Sequence, residues 1–120
     1  MTSKDSKASD GEWRSEMVAL IANGSLEEAA NALVSLAFND ADGAWVEGVL
    51  LSCLDGDSHS ELKLLSLTCI GHLARIHGTI QNPRTIMRVK QMAKISGFEG
   101  RAQDALDDFE VYLGMRLYSK

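Results

Sequence analysis

Ser60-Glu61-Leu62-Lys63-Leu64-Leu65-Ser66-Leu67-Thr68-Cys69-Ile70-Gly71-His72-Leu73-Ala74-Arg75-Ile76-His77-Gly78 is the stretch on which the fold turns. Leu62, Leu65, Cys69, Leu73 and Ile76 step by three and four residues, the spacing of one face of an α-helix. Leu64, Leu67 and Ile70 widen that stripe. The pattern predicts a helix from Ser60 to His77 that is apolar over much of its circumference, and so central and the most buried. Gly78 stands where a left-handed C-cap belongs.

Upstream, Asp55-Gly56-Asp57 breaks a helix expected over Asp42–Leu54, with Trp45, Val49, Leu50, Cys53 and Leu54 at helical spacing. Before it, Ser25 with Glu28 three residues on has capping-box spacing. The helix it opens carries Leu26, Ala29, Leu33, Leu36 and Ala37 and stops at Asn39-Asp40. A first helix from Glu12 to Ala22 bears Trp13, Met17, Val18, Leu20 and Ile21 and stops at Asn23-Gly24. Met1–Gly11 is polar and is expected to be a flexible tail, leaving residues 12–120 as one helical domain.

Downstream, Asn82-Pro83 supplies an N-cap and a proline at the first helical position. That helix is expected to run to Gly97, with Ile86, Met87, Val89, Met92, Ala93 and Ile95 as its apolar residues. A sixth follows Gly100, carries Ala102, Ala105, Leu106, Phe109, Tyr112 and Leu113, and ends near Gly114. Leu117 and Tyr118 in the tail are expected to dock loosely. No segment alternates apolar and polar residues long enough for a strand, so the fold class is all-α.

The helices pair as first with second, third with fourth and fifth with sixth. Leu33, Ile70 and Leu106 fall 37 and 36 residues apart, and Leu36, Leu73 and Phe109 keep the same offsets. A period with two helices per unit marks an α-solenoid, slightly shorter than HEAT repeats. The expectation is three antiparallel pairs in a small right-handed HEAT-like solenoid, with the second, fourth and sixth helices lining one face. An irregular six-helix bundle is the alternative.

Composition narrows function. The chain has 120 residues, enough for one domain that buries about two-thirds of its unfolded surface. Its net charge is −5, and an acidic chain repels phosphate backbones, so a nucleic-acid partner is not expected. Charge is uneven: residues 1–40 carry −4, 41–80 carry −3 and 81–120 carry +2. The first two thirds can steer a basic partner. The N-terminus has no apolar core for a signal peptide, and no run of about 18 apolar residues occurs, so no membrane partner is expected. Cys53 and Cys69 read as reduced core thiols of a cytoplasmic protein.

Few residues suggest chemistry. Cys69 and His72 stand three apart, a spacing seen in zinc sites, yet no second ligand pair accompanies them. His59 is more than a turn away, and His77 suits a helix C-terminus. There is no phosphate loop, HExxH or Gly-x-Ser-x-Gly elbow, and no His-Glu dipeptide as in the iron enzymes built from HEAT repeats. No enzyme activity, metal or cofactor is expected. Arg84, Arg88, Lys90 and Lys94 read as a solvated face, and Trp13 and Trp45 as core anchors. Asp104, Asp107 and Asp108 share one helical face and need a cation. Arg75 or Arg101 can answer them internally, with Arg75 to Asp107 or Asp108 the expected structural link; otherwise the face meets a basic partner.

CIGHLARIHG (Cys69–Gly78), followed about 25 residues later by QDALDDFEVYL (Gln103–Leu113), resembles the small HEAT-like proteins encoded beside bacterial polymorphic toxins. The resemblance runs from Trp45 to Leu113, more than half the chain; residues 1–40 lie outside it. It implies an immunity protein of the contact-dependent growth inhibition kind, which binds and neutralises a cognate toxin domain in the cytoplasm. By analogy that toxin is of the nuclease type, and the acidic balance agrees. Charge distribution nominates Glu47, Asp55, Asp57 and Glu61, with whichever of Asp104, Asp107 and Asp108 is free, as the partner-binding surface. A helical-repeat scaffold with an unrelated protein partner is the second reading. An enzyme with a metal or acid–base site around His72 and Asp104 is the third. The sequence sets no oligomeric state.

Overall fold

Six helices and no strand make up residues 6–114, the part of the chain described by the computed structural model, with side chains from residue 11 onward. They are α1 (Ser6–Asn23), α2 (Leu26–Asn39), α3 (Gly43–Asp55), α4 (Ser60–His77), α5 (Pro83–Met92) and α6 (Glu99–Leu113).

Local chemistry sets most of these boundaries. Ser25 Oγ accepts from the Glu28 N–H at 3.1 Å while Glu28 Oε1 accepts from the Ser25 N–H at 2.9 Å, a complete capping box. Asp42 Oδ1 caps α3 through the Trp45 N–H, His59 Nδ1 caps α4 through the Glu61 N–H, and Asn82 Oδ1 caps α5 through the Arg84 N–H. Gly78 and Gly114 end α4 and α6 at φ 68° and 69°, left-handed conformations that a side chain would strain.

Two boundaries depart from the sequence reading. α1 begins at Ser6, not Glu12, so half of the expected tail is helical; residues 1–5 lie outside the described part. Once a helix is nucleated, each added residue contributes a hydrogen bond, and a polar extension needs no core to continue it. α5 ends at Met92, not Gly97. The N–H groups of Lys94 and Ile95 turn back to the Gln91 and Met92 carbonyls, and Gly97 at φ 94° carries the reversal. Leu117 and Tyr118 also lie outside the described residues.

α4 is the centre of the core. It packs against α2, α3 and α6 and buries eight residues, more than any other described helix. Leu33, Leu36, Ile70, Leu73, Leu106 and Phe109, the residues at the repeat offsets, are each at most 5% exposed. Burying a side chain the size of Phe109 contributes about 1.5–3 kcal/mol. Ile76 breaks the expected stripe: it is 48% exposed. Met87 and Ile95 are likewise exposed, and Thr85, Val89 and Met92 form the buried side of α5.

α4 and α6 advance in step. Thr68 meets Arg101, Gly71 meets Ala105 and Asp108, and Arg75 meets Asp108. A Cβ at Gly71 would stand 2.5 Å from the side-chain Oδ2 of Asp108 and 3.6 Å from the Ala105 Cα. α1 packs on α2, α3 on α4 and α5 on α6. The Cα extents are 54 × 29 × 17 Å.

Cys53 and Cys69 are buried free thiols. Burial pushes both above the ordinary thiol value, Cys69 to about 12, so neither is thiolate at neutral pH.

Candidate functional site

The seven carboxylates nominated as partner contacts divide into those used inside the fold and those left on its surface. Glu47 is a correction: it is 2% exposed and cannot be a surface contact. Its Oε1 accepts from the Gln81 N–H at 2.9 Å and its Oε2 from the Asn82 N–H at 2.8 Å and the Thr85 hydroxyl at 2.5 Å. The loop between α4 and α5 and the first turn of α5 present backbone donors that lack helical partners, and the helix dipole there favours an anion. Glu47 projects from α3 to satisfy them.

Asp55 is exposed, but its carboxylate is paired within the chain. It stands at the end of α3, where the dipole repels a negative charge. Arg84 Nη2 reaches its Oδ2 at 2.5 Å and Arg88 Nε its Oδ1 at 2.9 Å. Arg88 also donates to the Leu54 carbonyl at 3.2 Å, closing the end of α3. Burial opposes ionisation of Asp55, but the hydrogen bonds from Arg84 and Arg88 outweigh it and hold its carboxyl below the usual value. Arg84 and Arg88 are therefore a clamp between α3 and α5 rather than a plain solvated face.

On α6 the three aspartates have separate fates. Arg75 Nη2 lies 3.4 Å from Asp108 Oδ1, and its guanidinium sits 5.7 Å from the Tyr112 ring centroid. The pair is half exposed, so it contributes no more than about 1 kcal/mol and serves mainly to orient Asp108 over Gly71. Gln103 donates to Asp107 at 3.3 Å. Asp104 is exposed, as are Asp57 and Glu61, and the side chains of these three have no hydrogen bond or ion pair among the described residues. Arg101 donates to the Thr68 hydroxyl at 2.9 Å rather than to an aspartate.

One link went unforeseen. Arg14 on α1 forms two 2.6 Å hydrogen bonds with Asp40, whose side chain is 4% exposed, and stacks 4.5 Å from the centroid of the Trp45 ring. Those hydrogen bonds hold the Asp40 carboxyl below its ordinary value despite burial. The signal was present in the sequence: between Arg14 and Lys63 there are nine acidic residues and no Lys or Arg. Arg14 is the nearest cation for any buried acid at the start of that run.

Two surface features adjoin the unpaired carboxylates. The first is a band across α2, α4 and α6. Phe38 is 52% exposed and packs against His72 with ring centroids 4.7 Å apart and planes tilted by 52°, Ile76 lies one turn beyond His72, and Tyr112 is 46% exposed beside Arg75. His72, Arg75, Asp104, Asp107 and Asp108 line a cleft of about 280 Å³ between α4 and α6 at its edge. The second is a groove of about 670 Å³ where the joint between α1 and α2 meets the end of α3 and the start of α4, with Asp57 in its lining.

His72 and Asp104 thus share a cleft, but no group of three metal-capable side chains occurs among the described residues. No described helix is long and apolar enough to cross a membrane. No protein-family model matches the chain, and no curated protein or solved structure is significantly similar to it.

Proposed function

We propose that this chain is an immunity protein: a binding protein that neutralises a cognate, cationic toxin domain in the cytoplasm, built as a HEAT-like α-solenoid of three antiparallel pairs. The in-step contacts of α4 and α6 and the burial of all six repeat-offset residues support the solenoid. What supports the binding role is the division of the carboxylates. Glu47, Asp55 and Asp108 are answered by groups of the chain itself, while Asp57, Glu61 and Asp104 are exposed and unanswered among the described residues. Unanswered charges next to exposed apolar side chains suit a protein surface that meets an opposite charge. A scaffold for an unrelated protein partner would draw on the same surface.

Co-expression with the toxin domain encoded beside this chain tests the reading, with cell survival as the readout. Survival is expected only when the chain is present; equal killing with and without it sinks the immunity reading. For the purified pair, Asp57→Asn, Glu61→Gln and Asp104→Asn together are expected to slow association several-fold at low salt and to change it little at about 1 M salt, where the screening length is about 3 Å. Glu47 and Asp55 are left out of that set because their loss would disturb the fold.

A further inference from the structure

The groove beside Asp57 has walls of Val18, Ile21, Leu26, Ala29, Val49 and Leu62. Val18 is 40% exposed and Leu26 38%, so apolar surface stands in water there without a covering element. A pocket for a small polar ligand fixes it with a few convergent polar groups. Most polar side chains here are already engaged or solvated: Ser25 Oγ and His59 Nδ1 cap helices, Ser52 and Asp57 are exposed, and half-buried Ser58 is the remaining hydroxyl. What remains is an apolar wall with a negative rim. Asp57 lines it, Glu61 stands between the lining residues His59 and Leu62, and no Lys or Arg occurs from residue 15 to residue 62.

We propose that this groove docks one apolar side chain of a cationic amphipathic segment of a protein partner, with Lys or Arg about one helical turn from the inserted residue to meet Asp57 and Glu61. The proposal rests on the partner-binding reading and gives it a place and a chemistry. Removal of Val18 and Leu26 from water supplies the apolar part, and the uncompensated carboxylates supply attraction and orientation.

The test uses the full chain and a fluorescent peptide of about 14 residues with Leu on one helical face and Lys on the other. Two comparison peptides replace Leu by Ser, or Lys by Glu. The Leu/Lys peptide is expected to bind at least about tenfold more tightly than either. Ala22→Trp, which fills the groove from an exposed position on α1, is expected to weaken it about tenfold. Val18→Ser, which removes apolar wall without adding bulk, is expected to weaken it in the same direction and covers the case in which Ala22→Trp does not fold. Asp57→Asn with Glu61→Gln is expected to weaken binding several-fold at low salt and hardly at all at about 1 M. Equal binding of the Ser/Lys or Leu/Glu peptide overturns the proposal, as does unchanged affinity in folded groove variants. Toxin protection is scored separately. Groove variants that lose the peptide yet still protect cells overturn the groove as the partner's dock and leave the immunity reading standing. Peptide binding that depends on the groove, without protection, does the reverse.

Discussion

Glu47→Ala is expected to lower the unfolding free energy by about 3–5 kcal/mol, measured by urea denaturation at neutral pH. The substitution does more than remove an acid. It strips the acceptor from the N–H groups of Gln81 and Asn82 and from the buried Thr85 hydroxyl, and nothing else on α3 can replace it. Each buried donor left without a partner costs about 1–3 kcal/mol. Glu47→Gln keeps one acceptor oxygen but turns an NH2 group toward donors, so it should fall between the native protein and the alanine variant. A surface contact would behave in the opposite way: either change would weaken partner binding and leave the denaturation midpoint almost unmoved.

Arg14→Met is expected to cost about 2–4 kcal/mol, toward the lower side of the range for breaking a buried ion pair because Arg14 is one-third exposed. Asp40 would remain with one backbone donor, the Asp42 N–H at 2.9 Å, and no cation within hydrogen-bonding reach. The stacking of the guanidinium on Trp45 is lost as well, worth roughly 0.5–1 kcal/mol. Acid titration gives a second readout. The Arg14 hydrogen bonds, partly offset by burial, hold the folded pKa of Asp40 below its ordinary 3.8. A depressed folded pKa contributes stability that is complete above the unfolded value and is lost as pH falls through the folded one. The native protein should therefore keep this contribution down to about pH 4 and lose it below that. In Arg14→Met the folded value rises, so acid unfolding should begin at a higher pH. An unchanged acid limb would show that Arg14 does not set the ionisation of Asp40.

What could be read from the sequence was what neighbouring residues decide among themselves. The Ser25–Glu28 box, the Asn82-Pro83 start and the Gly78 stop are agreements over three or four positions, and each holds in the structure. The offsets among Leu33, Ile70 and Leu106 marked positions that are buried in the structure, because each sits on the apolar face of its own helix. Glu47 could not be read this way. A glutamate in an apolar helix reads as a surface residue, and its partners lie 34 to 38 residues away, two of them backbone groups that no side-chain pattern records. The partners of Asp55 were hidden for a related reason: its cations sit on a helix whose own pattern read as solvated. Ile76 keeps the helical period but is 48% exposed, because periodicity within one helix does not say where its neighbours end. The groove left no mark in the sequence, because it is a gap between elements rather than a property of any one.

That gap bears on how the molecule comes apart. α3 is held to α5 by Glu47, Arg84 and Arg88, and α4 to α6 by Arg75 and Arg101. Between the first two helices and the rest, the described polar side-chain contacts are fewer, and part of the seam is a groove of about 670 Å³. Amide hydrogen exchange is therefore expected to show two classes of protection: α3 to α6 exchanging only through global unfolding, and α1 with α2 through a cheaper opening of their own. The first two helices would then be the least cooperative unit of the protein, and whatever filled the seam would slow exchange in α1 and α2 before it changed anything elsewhere.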